Sequence, residues 1–183
     1  MKTILRITFV APFAAALLLA TAAVTAQVET GPAGDIPDNQ AFVTFRGSGY
    51  SLEAPEGWSR TQRAASVTFS DKYNSIRADL SRVAKRPTMS SVAKTELARL
   101  KATIKGFAQP KVTSVTRLAG NVVLVTYTAT SPPNAVTGKS VTNDGERYEF
   151  WKGGKLVVLT LQAPRGSDNV DPWKRVTDSF TWK

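Results

Sequence analysis

Between Arg147 and Trp182 the chain reads RYEFWKGGKLVVLTLQAPRGSDNVDPWKRVTDSFTW, and this stretch leaves the fewest ways to fold. Gly153-Gly154 separates two strand-like runs, residues 147–152 and 155–162. Two residues that tolerate positive φ predict a tight primed hairpin turn, whose twist matches that of the strands it joins. Tyr148 and Phe150 share one face of the first strand, with Arg147, Glu149 and Trp151 opposite. Leu156-Val157-Val158-Leu159 is apolar on both faces, which predicts a central strand covered on both sides. Ala163-Pro164 ends it, because proline cannot donate to the ladder. A helix then starts after Asp168-Asn169, with Asp171-Pro172 as a second start signal. Val170, Trp173, Val176 and Phe180 fall on one face of it. So short a helix is marginal in water alone, so that face must lie on the sheet. Phe180 and Trp182 alternate and predict a short closing strand.

Upstream, residues 41–46 predict a strand, and Gly47-Ser48-Gly49 turns the chain into a second one with Tyr50, Leu52 and Ala54 on one face. Pro55-Glu56-Gly57-Trp58 is a turn that returns an indole toward the core. Residues 67–70 and 75–83 predict a hairpin around Asp71 to Asn74. The main helix is predicted over 88–105, with Met89, Ala93, Leu97, Leu100 and Ile104 in one stripe. Thr88 or Ser90 caps it, and Gly106 followed by Phe107 fits a left-handed stop. Residues 112–118 and 122–130 pair across Ala119-Gly120-Asn121, and Val122 to Val125 is again apolar on both faces. Residues 131–145 form a long connection holding Pro132-Pro133, Asn134, Gly138 and Lys139. Such loops are more often functional or mobile than idle. Strands, a helix, strands and a helix joined by short links predict an α+β fold, an antiparallel β-sheet with helices packed on it.

The front of the chain differs in kind. Lys2 and Arg6 precede an uncharged Ala- and Leu-rich run that closes on Val24-Thr25-Ala26. Small residues at −3 and −1 predict a signal peptide over 1–26, cleaved before Gln27. The rival reading is an uncleaved membrane anchor, since about 20 apolar residues can span a bilayer. Residues 27–40, rich in Gly and Pro, read as a flexible lead-in. One domain over 41–183 follows. The expected location is therefore secreted or otherwise extracytoplasmic.

The central helix, the run Tyr50-Ser51-Leu52-Glu53-Ala54-Pro55-Glu56-Gly57-Trp58 and the ending Val176-Thr177-Asp178-Ser179-Phe180 resemble the PsbP-like superfamily. That family includes the photosystem II extrinsic protein, a nuclear Ran-binding relative and many exported bacterial proteins. The resemblance implies an α/β/α sandwich around an antiparallel sheet, from about Phe42 to Trp182. Asp168 to Trp173 and Val136 to Lys139 also resemble stretches of secreted and lipid-anchored actinobacterial proteins. This chain lacks the lipid-bearing Cys of the anchored ones. The resemblance supplies no catalytic residue.

Composition closes off much chemistry. The chain has no Cys and no His. Disulfides, thiolate nucleophiles, Cys-ligated metals and the usual general base are all absent. A Ser/Lys hydrolase survives that loss, with Ser90 or Ser91 near Lys94, or Ser140 beside Lys139. None of these sits in a nucleophile motif such as G-x-S-x-G. Paired carboxylates, Glu53 with Glu56 or Glu146 with Glu149, are the other enzyme reading. Glu146 and Glu149 belong on opposite strand faces, which argues against that pair. Asp168, Asn169 and Asp171 are better explained as helix caps than as calcium ligands. No metal or cofactor is expected.

The net charge is +10, and +8 once Lys2 and Arg6 are removed, from 22 basic and 14 acidic residues. Such a surplus attracts polyanions. Lys94, Lys101 and Lys105 lie along one border of the helix stripe, where their stems can cover it or their ammonium groups can form an anion-binding ridge. With Asn134 and Lys139 of the long connection they are the candidate binding residues. The expectation is a non-enzymatic binding or accessory module of the bacterial envelope. Its partner is an acidic envelope protein, an acidic polymer or an anionic lipid surface, and no specific nucleic-acid motif is present. The alternatives are the hydrolase and a photosystem-type extrinsic subunit.

Overall fold

Alternation along the strands decides the architecture. A computed structural model describes residues 34–134 and 136–183; the expected signal peptide lies outside them. The larger sheet is antiparallel, has seven strands and runs β3-β4-β5-β9-β8-β7-β6. Its members are β3 (Ser59–Arg63), β4 (Ser66–Asp71), β5 (Asn74–Arg82), β6 (Ala108–Arg117), β7 (Gly120–Thr130), β8 (Thr142–Lys152) and β9 (Lys155–Pro164). As the doubly apolar run predicts, β9 lies in the middle, between β5 and β8. Val122 and Leu124 of β7, Tyr148 and Phe150 of β8, and Val157, Leu159 and Leu161 of β9 all enter one core. Val123, Val125, Tyr127 and Ala129 of β7 enter a second core on the opposite face.

The first core is closed by a three-stranded sheet and by α3 (Val170–Asp178). That small sheet, β1-β2-β10, joins β1 (Phe42–Arg46), β2 (Tyr50–Pro55) and β10 (Thr181–Trp182). Tyr50, Leu52 and Ala54 all point inward. Phe180 stacks on Phe150 with centroids 4.0 Å apart, and Trp173 and Val176 of α3 join the same core. The terminal strand is present as expected, but it pairs with β2 in a second sheet rather than extending the first. The α+β class with antiparallel strands holds. The second sheet was not legible because period-2 alternation says that a strand has a buried face, not which sheet claims it.

On the other face α1 (Met89–Ser91), a π-helical turn (Val92–Glu96) and α2 (Leu97–Thr103) run as one rod. Thr88 caps it, with reciprocal bonds between Thr88 and Ser91. Gly106 follows at φ 68°, the left-handed stop. The expected stripe is partly wrong. Met89 is 49% exposed and Ala93 is exposed, while Val92 is buried with Leu100. A π turn adds a residue to the repeat and rotates the apolar face, which a 3.6-residue pattern cannot anticipate.

Four other expectations need correction. Val170 is 73% exposed, and the face α3 buries is carried instead by Trp173, Val176 and Thr177. β3, SRTQR, was not expected; it is an exposed edge strand without an apolar residue to mark it. Residues 142–145 are the start of β8 rather than loop, so the connection runs only over 131–141. The lead-in is not wholly free. Ile36 is 3% exposed in the first core, and its amide donates to Asn169 Oδ1 at 2.7 Å. Asn169 Nδ2 in turn donates to the Gly34 carbonyl, so this side chain ties down the lead-in instead of capping α3. The Gly153-Gly154 turn is as expected, both residues having positive φ, 54° and 79°.

Candidate functional site

The helical rod covers β6, β7 and β8; beyond it Leu156 and Val158 of β9 are still buried, and among the described residues a polar strip of the same face lies beside them. The strip is made by Thr68 on β4, Ser75, Arg77 and Asp79 on β5, and Thr160 and Gln162 on β9. Between this strip, α2 and the Ser131-Pro132-Pro133 corner lies a cleft of about 670 Å³. Strand register arranges its floor in rows. Arg77, Thr160 and Arg147 stand side by side across β5, β9 and β8. One step along, Ser75, Gln162 and Gly145 form the next row. A Cβ on Gly145 would stand 2.7 Å from the Tyr127 ring, so glycine lets that ring lie across the strand. The Tyr127 hydroxyl thereby accepts from Gln162 Nε2 at 3.2 Å.

Cations dominate the walls. Arg77, Arg99, Lys105 and Arg147 line the cleft, and among the described residues Asp79 is the one acidic residue lining it. Arg77 forks onto Asp79 through Nε and Nη2, at 2.7–3.1 Å. Behind the wall, Glu96 of the π turn accepts from Arg99 and, at 2.5 Å, from Arg147 Nη2. The Arg99 bond, with help from Arg147, holds the Glu96 carboxyl below the usual carboxylate range. Glu149 behaves oppositely: burial raises its pKa, and Arg147 Nε, 3.7 Å away, only partly offsets this. Arg147 Nε is itself buried without a hydrogen-bond partner.

The expected binding residues are only partly brought together. Lys105 lines the cleft, whereas Lys94 and Lys101 stand exposed elsewhere on the rod. Asn134 spends its side chain on its own loop, accepting from the amides of Val136 and Thr137. Lys139 holds Tyr73 through its carbonyl, not its ammonium group. Arg77, Arg99, Arg147 and Gln162 were missed. The signal for Arg77, Arg147 and Gln162 was present as polar alternates in β5, β8 and β9; Arg99 lies on α2, off the apolar stripe, and had no such signal. Of the enzyme candidates, Ser91 is occupied in the helix cap and Glu53 pairs with Arg175 at 2.7 Å. Glu146 and Glu149 lie on opposite faces, as expected: Glu146 accepts from the Tyr148 hydroxyl in the first core at 2.5 Å. Arg117 Nη2 donates to the same hydroxyl at 2.9 Å. Burial raises the Tyr148 pKa well above the ordinary phenol value.

The fold these elements build is PsbP-like. The solution structure of cyanobacterial PsbP from Synechocystis sp. PCC 6803 matches 84% of this chain and 100% of that chain, at 14% identity and a TM-score of 0.51. LpqN of Mycobacterium tuberculosis, described as involved in cell envelope biogenesis, matches 82% of this chain and 98% of its own at 17% identity, with a TM-score of 0.45. A Bacteroides thetaiotaomicron protein matches 73% of this chain at 9% identity and a TM-score of 0.45, and the chain spans only 45% of its length. No protein-family model matches the chain, and no curated protein sequence matches it. Among the described residues no helix is long and apolar enough to cross a membrane.

Proposed function

We propose that the protein is a non-enzymatic binding module, exported to the bacterial envelope, that holds an acidic group of an envelope polymer or protein in the cleft beside α2. The observation that carries this is the wall of Arg77, Arg99, Lys105 and Arg147, with Asp79 the single lining carboxylate among the described residues. Guanidinium groups recognise carboxylate and phosphate through paired donors, and each of these still has N–H groups to offer. Thr160, Ser75 and Gln162 add neutral donors along the floor. Export rests on the charged-then-apolar start of the sequence.

Calorimetric titration with a short polyglutamate peptide and with pyrophosphate tests the reading. Affinity should fall as salt rises. Arg99→Ala and Arg77→Ala should each weaken it by about ten-fold, the scale of a charged hydrogen bond. Both side chains are half exposed, so the fold should survive. Binding indifferent to salt and to both substitutions would reject the cleft as an anion site.

A further inference from the structure

The end of the large sheet opposite the 131–141 connection carries a second cationic surface, and it is built differently from the cleft. Register places Lys155 directly opposite Arg82 on one side and opposite Lys152 on the other. Like charges facing each other across strands are destabilising. Three in a row therefore cost stability that the fold itself has no use for. More cations gather here. Arg86 reaches across to donate to the Asn121 carbonyl, and the Lys183 amide bonds Gly49, which lies beside Lys155 Nζ.

Apolar groups are interleaved with this charge. Trp151 and Trp182 both line two adjoining hollows of about 340 and 550 Å³. The Trp151 indole is tied by its N–H to the Val83 carbonyl at 2.9 Å, and Trp182 sits edge-on to Phe180. At the rim Leu118, on the β6–β7 turn, is 83% exposed. The acid in the hollow, Asp178, is already paired with Lys174 and Arg117.

We propose that this end docks on an anionic lipid bilayer, with Arg82, Lys152, Lys155 and Lys183 among the headgroups and Leu118, Trp151 and Trp182 at the boundary with the acyl chains. Indoles favour that boundary, and lysines near it are attracted by the negative surface potential. A dissolved acidic polymer would satisfy the charges but offers no apolar phase for Leu118 and the indoles. The inference shares with the cleft reading only the premise that the positive surplus meets an acidic partner, and it concerns different residues.

Vesicle co-sedimentation of the full chain tests it. Vesicles of equal parts phosphatidylcholine and phosphatidylglycerol are compared with pure phosphatidylcholine. Binding to the anionic vesicles, with a blue-shifted tryptophan emission, is the expected result. Each lysine near such a surface is worth about five-fold in partitioning. Lys152→Ala with Lys155→Ala should therefore weaken binding by at least about ten-fold, and Leu118→Asp should weaken it further. All three positions are at the surface, so thermal melting can verify that the variants fold. Binding that these variants leave unchanged overturns the proposal and assigns the vesicle affinity to other parts of the chain. So does polyglutamate binding lost on Lys152→Ala and Lys155→Ala but unaffected by Leu118→Asp, with no vesicle binding; that assigns the patch to a soluble polymer. Arg77→Ala and Arg99→Ala should leave vesicle binding intact, which separates failure here from failure of the cleft.

Discussion

Asn169 Oδ1 accepts the amide of Ile36 at 2.7 Å, joining positions 133 residues apart in a buried contact. The same side chain donates to the Gly34 carbonyl. One amide group therefore fastens the entry of the domain to the start of its last helix. Asn169→Ala would leave a buried N–H and a carbonyl without partners, at a cost of about 1–3 kcal/mol. The check is a lower Tm together with faster hydrogen exchange at the Ile36 amide.

Glu96 and Glu149 contact the same Arg147 but should drive stability in opposite directions with pH. The Glu96 pKa is lowered in the folded state, so its contribution is present above the unfolded carboxylate pKa and is lost as pH falls through the folded value. The Glu149 pKa is raised by burial, so its contribution is present below the unfolded value and is lost as pH rises through the folded one. Glu149→Gln should remove the loss on the neutral side of the carboxylate range and leave the acid-side loss. Glu96→Gln should do the reverse. Denaturant midpoints across a pH series distinguish them, and identical profiles for the two variants would contradict the assignment.

Thr88 and Ser91 satisfy each other's backbone amides at the head of the helical rod. Thr88→Ala removes the acceptor of the Ser91 amide and should cost about 1 kcal/mol. Thr88→Asn should restore most of this, since asparagine caps as well as serine. Urea midpoints of the two variants provide the comparison.

Lys155 stands between Arg82 and Lys152, so relieving the repulsion should stabilise the fold. Lys155→Thr should gain roughly 0.2–1 kcal/mol, the range for a cross-strand pair. The gain should shrink in high salt, where the repulsion is already screened. Thermal melts at low and high salt test both parts.

Several features could be read from residue order alone because they depend on near neighbours. Gly153-Gly154 had to turn, Thr88 could cap, Gly106 could stop a helix, and the doubly apolar run at Leu156 to Leu159 had to lie inside a sheet. The alternation at Tyr148 and Phe150 fixed which side of β8 is dry. The candidate site was less accessible. Lys105 was predicted from its helix border, but it lies past the end of α2, where Ile104 is already extended, whereas Lys94 and Lys101 remain on the rod and do not line the cleft.

What the sequence by itself determined is the set of strands and helices with a face to bury, the lack of thiol and imidazole chemistry, and the positive surplus. Only the tertiary structure decided that β10 joins a second sheet, that Asn169 anchors Ile36, and that Arg77, Thr160 and Arg147 fall in one row. The reason is range. Caps, turns and alternation are set by residues a few positions apart, whereas register and face coverage are set by which distant strands pair and how far a helix reaches across them. The polar strip beside the rod depends on how far the rod reaches across the strands, and no local pattern encodes that width.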